Sequence, residues 1–376
     1  MIHNITRRLF LKHAATTASV LTMPNITFAS PQIDLSGGID PSRELVMAEK
    51  PTEEGFRDAV NVWIESDDAD LAMRVGIEAL AEEWAAHDIW IDIAFADNRV
   101  LNFRGSGEVR PAIDNNGQPT IREAGPVRFQ CLEPFKRWAV SFKGETSETT
   151  AMNLARDFTP TNAGNVSVEF EIEMVMAVPP WISGSLLPES RQIIGGDQGD
   201  FMSPRYEQLF VAKGWVKTAE YRKEFNGRGL RIRRQGVRKF KGFWGHCWQS
   251  AVFPSGKGFG FNIFPPRSDG QANFNEGFIF DGTRRIPARA VEIPWLRQLQ
   301  TSGDDVSFVL ETVEGERIAV NGETFINTRS INKGQTQLPP DFPIVQQAHA
   351  TYVWDGEEAV GMVERSSAPS LMKFPE

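Results

Sequence analysis

The sequence predicts a mainly β chain: two antiparallel β-domains in tandem, each a barrel or sandwich, with one short helical segment near the N-terminus. Three observations carry this reading. Residues Val166–Met176 alternate strictly, with Val166, Val168, Phe170, Ile172 and Met174 on one side and Ser167, Glu169, Glu171 and Glu173 on the other. That is the pattern of a sheet with one wet face. Gly and Pro punctuate the chain roughly every eight to twelve residues, the spacing of short strands joined by turns. Helical spacing of apolar residues is convincing only once, over Gly76–Trp84.

Taken in order, residues 1–30 read as an export signal. Arg7-Arg8 precede a mildly apolar run from Ala14 to Phe28, and Thr27-Phe28-Ala29 supplies the small residue a signal peptidase accepts. The run is too short and too rich in threonine to span a bilayer, which takes about 20 apolar residues. The expectation is a twin-arginine signal, recognised by the twin-arginine translocase, and a periplasmic mature chain without a membrane span. Residues 31–52 read as a linker. Residues 53–185 form the first β-domain, led by a helix within 53–85. Its strands are Ile89–Phe95, returning after the Asp97-Asn98 turn as Val100–Phe103, then Val127–Cys131, Trp138–Phe142 and Val166–Met176. Glu133 and Arg137 flank a shaped turn and suggest an ion pair. The irregular, Pro- and Gly-rich stretch near 180–205 reads as the connection, and 200–370 as the second β-domain.

Composition removes several classes. The 376 residues carry a net charge of −9, which disfavours nucleic acid and anionic membrane as partners. Two cysteines and five histidines make a dedicated zinc site unpromising. Cys131 and Cys247 fall in different domains and read as buried free thiols. No dinucleotide fingerprint, phosphate loop, nucleophile elbow or zinc-protease motif is present, so no cofactor is expected. The basic run from Arg228 to Lys241 alternates with Leu230 and Ile232. It reads as a strand with arginines on its solvent face, or more narrowly as a source of one arginine for a polar group on a ligand.

The segment Phe243-Trp244-Gly245-His246-Cys247-Trp248-Gln249 stands out. An imidazole among indoles suits acid–base chemistry on an apolar molecule, since desolvation moves pKa values and aromatic walls hold hydrocarbon. On a regular strand His246 and Trp248 share one face and Cys247 and Gln249 the other, with Trp244 joining His246 if the strand runs through Gly245. Glu207 is the candidate carboxylate partner of His246. Tyr206, Gln249 and Glu276 are further candidates for substrate contact. Asp281-Gly282 reads as an ordinary turn.

Tyr206-Glu207-Gln208, followed by Gly245-His246-Cys247-Trp248 and closing on Trp354-Asp355-Gly356-Glu357 and Gly361–Ser366, resembles a bacterial family distantly related to carotenoid 1,2-hydratase (hydroxyneurosporene synthase). That family shows a Tyr-Glu-Gln strand and an Asp-His-Ser-Trp-Gly motif. His246 and Trp248 agree with it, while Gly245 replaces the aspartate and Gln249 the final glycine. The resemblance spans about residues 70–366 and implies tandem lipocalin-like β-domains with an apolar cavity. The combined expectation is an exported, cofactor-independent hydratase, lyase or isomerase. It would act by proton transfer from His246, backed by Glu207, on a hydrophobic isoprenoid-like or aromatic small molecule against Trp244 and Trp248. A non-catalytic periplasmic carrier of an apolar ligand is the alternative. An open groove with paired carboxylates would instead mark a carbohydrate-active protein.

Export is directly testable. Changing Arg7 and Arg8 to Lys should hold the full-length precursor in the cytoplasm, as followed by fractionation and immunoblotting. Normal levels of processed protein outside would refute the signal.

Overall fold

The computed structural model describes residues 33–156, 165–194, 202, 204–238, 243–267, 269–331 and 342–373, so the export signal expected over 1–30 lies outside the described residues. Among these residues no helix is long and apolar enough to cross a membrane.

The first sheet is built from β1 (Phe56–Ser66), β2 (Leu71–Leu80), β3 (Ala86–Phe95), β4 (Arg99–Glu108), β5 (Ile121–Ala124), β6 (Val127–Glu133), β7 (Arg137–Thr150), β8 (Asn165–Met176), β9 (Trp181–Ile182), β10 (Arg205–Lys217) and β11 (Arg222–Val237). The strands run in the order β4-β3-β2-β1-β11-β10-β8-β7-β6-β5, with β9 on β10. The sheet curls until β4 pairs with β7 through Arg99↔Thr150 to Asn102↔Ser147. Its inner face is apolar, from Val60, Val62, Val75 and Ile77 to Phe129, Phe142 and Phe170. A second set of strands closes into a barrel: β12 (His246–Val252), β13 (Gly258–Ile263), β14 (Asn275–Phe280), β15 (Arg285–Glu292), β16 (Phe308–Thr312), β17 (Arg317–Ile331), β18 (Ile344–Trp354) and β19 (Glu357–Ser367). The barrel interior is filled by aromatic rings. Phe308 lies 4.8 Å from Phe259 and 4.7 Å from Phe261, and Tyr352 stands edge-on to Phe259. Among the described residues helices are limited to α1 (Ala151–Arg156), α2 (Pro188–Ile194) and short 3-10 turns.

Several expectations are corrected. The helix expected within 53–85 is instead β1 and β2, followed by a 3-10 turn at Ala81–Glu83. The segment carries two periodicities at once. Met73, Val75, Ile77 and Ala79 alternate as well as they wind, and partners on both sides decide for strand. Gly76 fits that choice: a Cβ there would fall 2.1 Å from the Trp90 ring that lies over it. The change of sheet does not coincide with the expected connection near 180–205. β10 and β11 pair with β8 and β1, so the chain passes to the barrel between Val237 and His246. Gly and Pro mark breaks in the chain, but cannot say which sheet the next strand joins.

The stretch read as a linker over 31–52 is anchored. Its Glu44 is fully buried and accepts hydrogen bonds from Phe135 N (3.0 Å), Trp138 Nε1 (2.6 Å), Arg231 Nη2 (2.8 Å) and Tyr206 Oη. Asp58, also buried, binds Arg122 and Arg233 and the Met47 amide. Arg231, Arg233 and Arg234 are therefore not solvent-facing, with 0%, 1% and 4% exposure. Glu133 bonds Lys136 at 2.5 Å, and Arg137 turns to Glu173, so the expected Glu133–Arg137 ion pair is not formed. Both thiols are free and buried, Cys131 in the first sheet's core and Cys247 in the barrel's.

Burial raises the Glu44 carboxyl, but Arg231, Tyr206 and Trp138 outweigh it and hold the group below its ordinary 4.5. Glu44→Gln leaves Arg231 buried without its counter-ion, at a cost of about 3–5 kcal/mol. A depressed carboxyl stabilises above its unfolded pKa and loses that contribution as pH falls through the folded value. Urea denaturation should show the full gap between the two proteins at neutral pH and a closing gap in acid. A gap independent of pH would contradict the assignment.

Candidate functional site

Alternation on each strand decides which side chains meet where the first sheet's outer face packs on the outside of the barrel. On β1, Val60 and Val62 enter the first core, so Asn61, Trp63 and Glu65 face outward; across the register they oppose Ile232, Leu230 and Arg228. On β10 the same face carries Glu207 and Leu209, and on β2 it carries Arg74. On β12, Cys247 and Ala251 enter the barrel, which sends His246 and Trp248 outward. Trp63, Trp181, Leu209, Leu230, Ile232, Trp248, Phe278 and Met362 pack together as one apolar cluster spanning both units. The barrel side presents Glu364, Gln347 and His349 as well, set by the pairs Trp248↔Glu364, Gln347↔Glu364 and His349↔Met362.

His246 is 2% exposed. Its Nε2 lies 3.0 Å from Glu364 Oε1, and its backbone amide donates to Ser366 Oγ at 2.8 Å. Phe243 stands edge-on to the imidazole at 5.1 Å, and Trp248 is tilted against it at 6.2 Å. Burial pushes the Glu364 carboxyl up, but its contacts with His246, the charge of Arg74 and a 2.5 Å hydrogen bond from Gln347 Nε2 hold it at about 2. Arg74 is placed by two indoles, 5.4 Å from the Trp63 ring and 5.5 Å from that of Trp90.

Glu207 meets the other side of Trp248. It is 3% exposed, accepts from Trp248 Nε1 at 2.9 Å, and lies 2.7 Å from Arg205 Nη2. Burial pushes its carboxyl above the ordinary 4.5, and Arg205 and Trp248 offset only part of that. A second pair crosses between the units nearby: Glu65 Oε1 lies 2.6 Å from His349 Nδ1, both fully buried, and burial again raises the carboxyl.

The sequence-derived candidates therefore divide. His246, Trp248 and Glu207 come together, although the carboxylate on His246 is Glu364 rather than Glu207. Trp244 bonds Pro265 O at 3.0 Å and stacks edge-on with Phe264. Gly245 adopts φ +132°, which breaks the alternation and gives Phe243 the place expected of Trp244. Gln249 points into the barrel, bonded to Tyr352 Oη at 2.7 Å. Tyr206 lies on the opposite face of β10, bonded to Glu44. Glu276 accepts from Trp181 Nε1, Gly184 N, Leu186 N and Leu187 N, pinning the connection after β9 to the barrel. Asp281 caps its turn through Thr283 N and Arg284 N. Glu364, Gln347, Glu65, His349 and Arg74 were missed. Glu364 shares a strand face with apolar Met362, and nothing in the sequence around it marks it as special.

Many buried polar atoms on this seam have no hydrogen-bond partner among the described residues. They include Asn61 Oδ1, Trp63 Nε1, Arg234 Nη1, Ser250 Oγ, Asn262 Oδ1 and His349 Nε2. Among the described residues no cluster of His, Cys, Asp and Glu fits a metal ion.

The raised Glu207 carboxyl has a stability signature of opposite sign to that of Glu44. A raised carboxyl binds its proton more tightly when folded, so wild-type stability relative to Glu207→Gln should fall as pH rises above about 4.5. Denaturant titrations of both proteins across pH 4–8 (a range of about four units set by the carboxylate-to-neutral span) check this. A wild-type advantage that grows with pH would refute it.

Comparison with known proteins fits this architecture. A family model described as a domain of unknown function, DUF7064, matches residues 59–369. No curated protein matches. Among solved structures, a protein assigned as AttH from Nitrosomonas europaea aligns with a TM-score of 0.53 at 11% identity, covering 83% of this chain and 92% of that one. CghA in complex with Sch210972 aligns with a TM-score of 0.52 at 10% identity, covering 84% and 89%. Kievitone hydratase from Nectria haematococca reaches 0.47 at 10% identity, covering 86% and 93%. Identities this low speak to fold alone, and the fold shared with the first two is the tandem lipocalin-like β architecture. With its model matched over most of its length, this chain belongs to the DUF7064 family.

Proposed function

We propose that this protein is an exported, cofactor-independent hydratase, lyase or isomerase. It moves a proton on a hydrophobic small molecule held in the seam between the first sheet and the barrel. The observation that carries the reading is the contrast of two carboxyls around one His246–Trp248 patch. Glu364 is held low, at about 2, while Glu207 is pushed up. Titratable neighbours driven apart in this way are suited to separate basic and acidic roles. Glu364 Oε1, 3.0 Å from His246 Nε2, orients the imidazole, which is the base in this reading. Glu207 keeps its proton more readily and is the acid. In an elimination the base removes the proton next to the leaving hydroxyl, the carbon–oxygen bond breaks, and the acid protonates the departing oxygen to give water. Hydration is the reverse, and isomerisation uses the same two groups with no water lost. Trp248 and Phe243 give the hydrocarbon an aromatic wall and can face a developing cation.

Positioned acid–base catalysis contributes about 10²–10⁴-fold. The test is to identify by mass spectrometry the small molecule that co-purifies with the folded protein, then follow its conversion. His246→Gln should lower turnover by about 10²–10⁴-fold with little change in ligand affinity or melting temperature. Binding by both proteins with conversion by neither would instead identify a carrier. Unfolding of the variant would assign His246 to structure.

A further inference from the structure

Among the described residues no acid forms an ion pair with Arg234; the charges of Glu207 and Glu78 reach it only from further off. It sits directly across the β10–β11 register from Arg205, two like charges on one face of neighbouring strands. Such pairs are unfavourable unless something between them is negative. Arg234 is 4% exposed, and its Nη1 has no hydrogen-bond partner among the described residues. The acids nearby are engaged elsewhere: Glu78 pairs with Arg57, and Glu207 is held by Arg205 and Trp248. Arg238 adds another positive charge beside it. Burial, then the charges of Arg238 and Arg205, push the Arg234 guanidinium well below its ordinary value. Folding therefore spends free energy to keep this cation in the seam.

The position gives that expense a use. Arg205 lies over the Trp248 ring at 4.9 Å and 2.7 Å from Glu207 Oε1, so the cationic group borders the proposed proton-transfer patch. From Arg234 and Arg205 the seam runs to Trp63, Leu230 and Met362. A ligand filling both parts has an acidic head and a hydrocarbon body. Guanidinium groups suit a carboxylate, which they bind through paired, charge-assisted hydrogen bonds.

We propose that Arg234, with Arg205 beside it, forms an anion subsite that binds the carboxylate of an amphipathic organic acid, the substrate class of this protein. The proposal rests on the reading of the seam as the substrate site. It narrows the substrate from any hydrophobic molecule to one whose carboxylate is fixed at Arg234 while its apolar body lies along Trp63 and Trp248. The carboxylate stays intact throughout: it orients, and the proton moves elsewhere on the molecule.

The test compares octanoate with 1-octanol, equal in chain length and different in head group, by calorimetry on the full folded protein. The wild type should bind octanoate at least about tenfold more tightly, the effect of one good charge-assisted contact. Arg234→Met should lose that preference while still binding octanol. In the absence of ligand its melting temperature should rise by about 2–4 °C, the size expected for removing a modest destabilising term from a chain this long. His246→Gln should retain the preference. If octanol and octanoate bind the wild type equally, the anion subsite is wrong while the seam remains a ligand site. If neither binds, the seam reading falls with it. A lower melting temperature for Arg234→Met would show a structural cation and would also overturn the proposal.

Discussion

The hydrogen bond from Trp248 to Glu207 joins a barrel strand to a strand of the first sheet, and the geometry of the candidate site depends on it. A carboxyl this deeply buried has few ways to be satisfied, and an indole N–H at 2.9 Å is one. The bond fixes which face of β12 meets which face of β10, and His246 follows because it shares that face with Trp248. Glu65 and His349 add a second point of attachment, and Arg228 Nη1 donating to Val252 O at 2.7 Å adds a third. Buried polar links of this kind contribute little net stability, because desolvation offsets most of the attraction. The apolar cluster around Trp63, Leu230 and Met362 supplies the adhesion, and the polar links supply the register.

The fold class was legible because period-two alternation survives in short windows, as in Val166–Met176. The error over 53–85 has a specific cause. Ala, Glu and Leu at Glu78-Ala79-Leu80-Ala81-Glu82 favour a helix locally, while the pairing that overrides them comes from β1 and β3, which no local window sees. The His246 segment was conspicuous by its residue types, and its two-faced geometry could be read for the regular part of the strand. Trp244 was misplaced because one positive φ at Gly245 resets the alternation. Glu364 and Arg74 lie far from His246 in sequence and reach it only through strand pairing and the packing of one unit on another. Arginines 231, 233 and 234 looked like a solvated face because charge is normally exposed; the burial of Arg231 is explained by Glu44, from a stretch that reads as a linker, and that of Arg233 by Asp58 on β1.

Two of the buried carboxyls at the seam, Glu364 and Glu207, illustrate how one environment type gives different chemistry. Glu364 keeps its charge because a histidine, an arginine and an amide surround it, whereas Glu207 must share one arginine that also stacks on an indole. Neither residue is distinguished by its neighbours in sequence. The difference arises from cross-strand partners, which makes strand register the determinant of acid strength in this protein.

Glu276 has a consequence for how such a protein can change. Its carboxyl clamps the connecting segment through four donors. Because the candidate site is shared between two walls rather than enclosed by one, anything that shifts their mutual seating reshapes it. Selection acting on the clamp would alter ligand preference while every proton-handling side chain stayed the same. The aromatic-packed barrel would serve in that history as a stiff backing plate, and the connection as the adjusting screw.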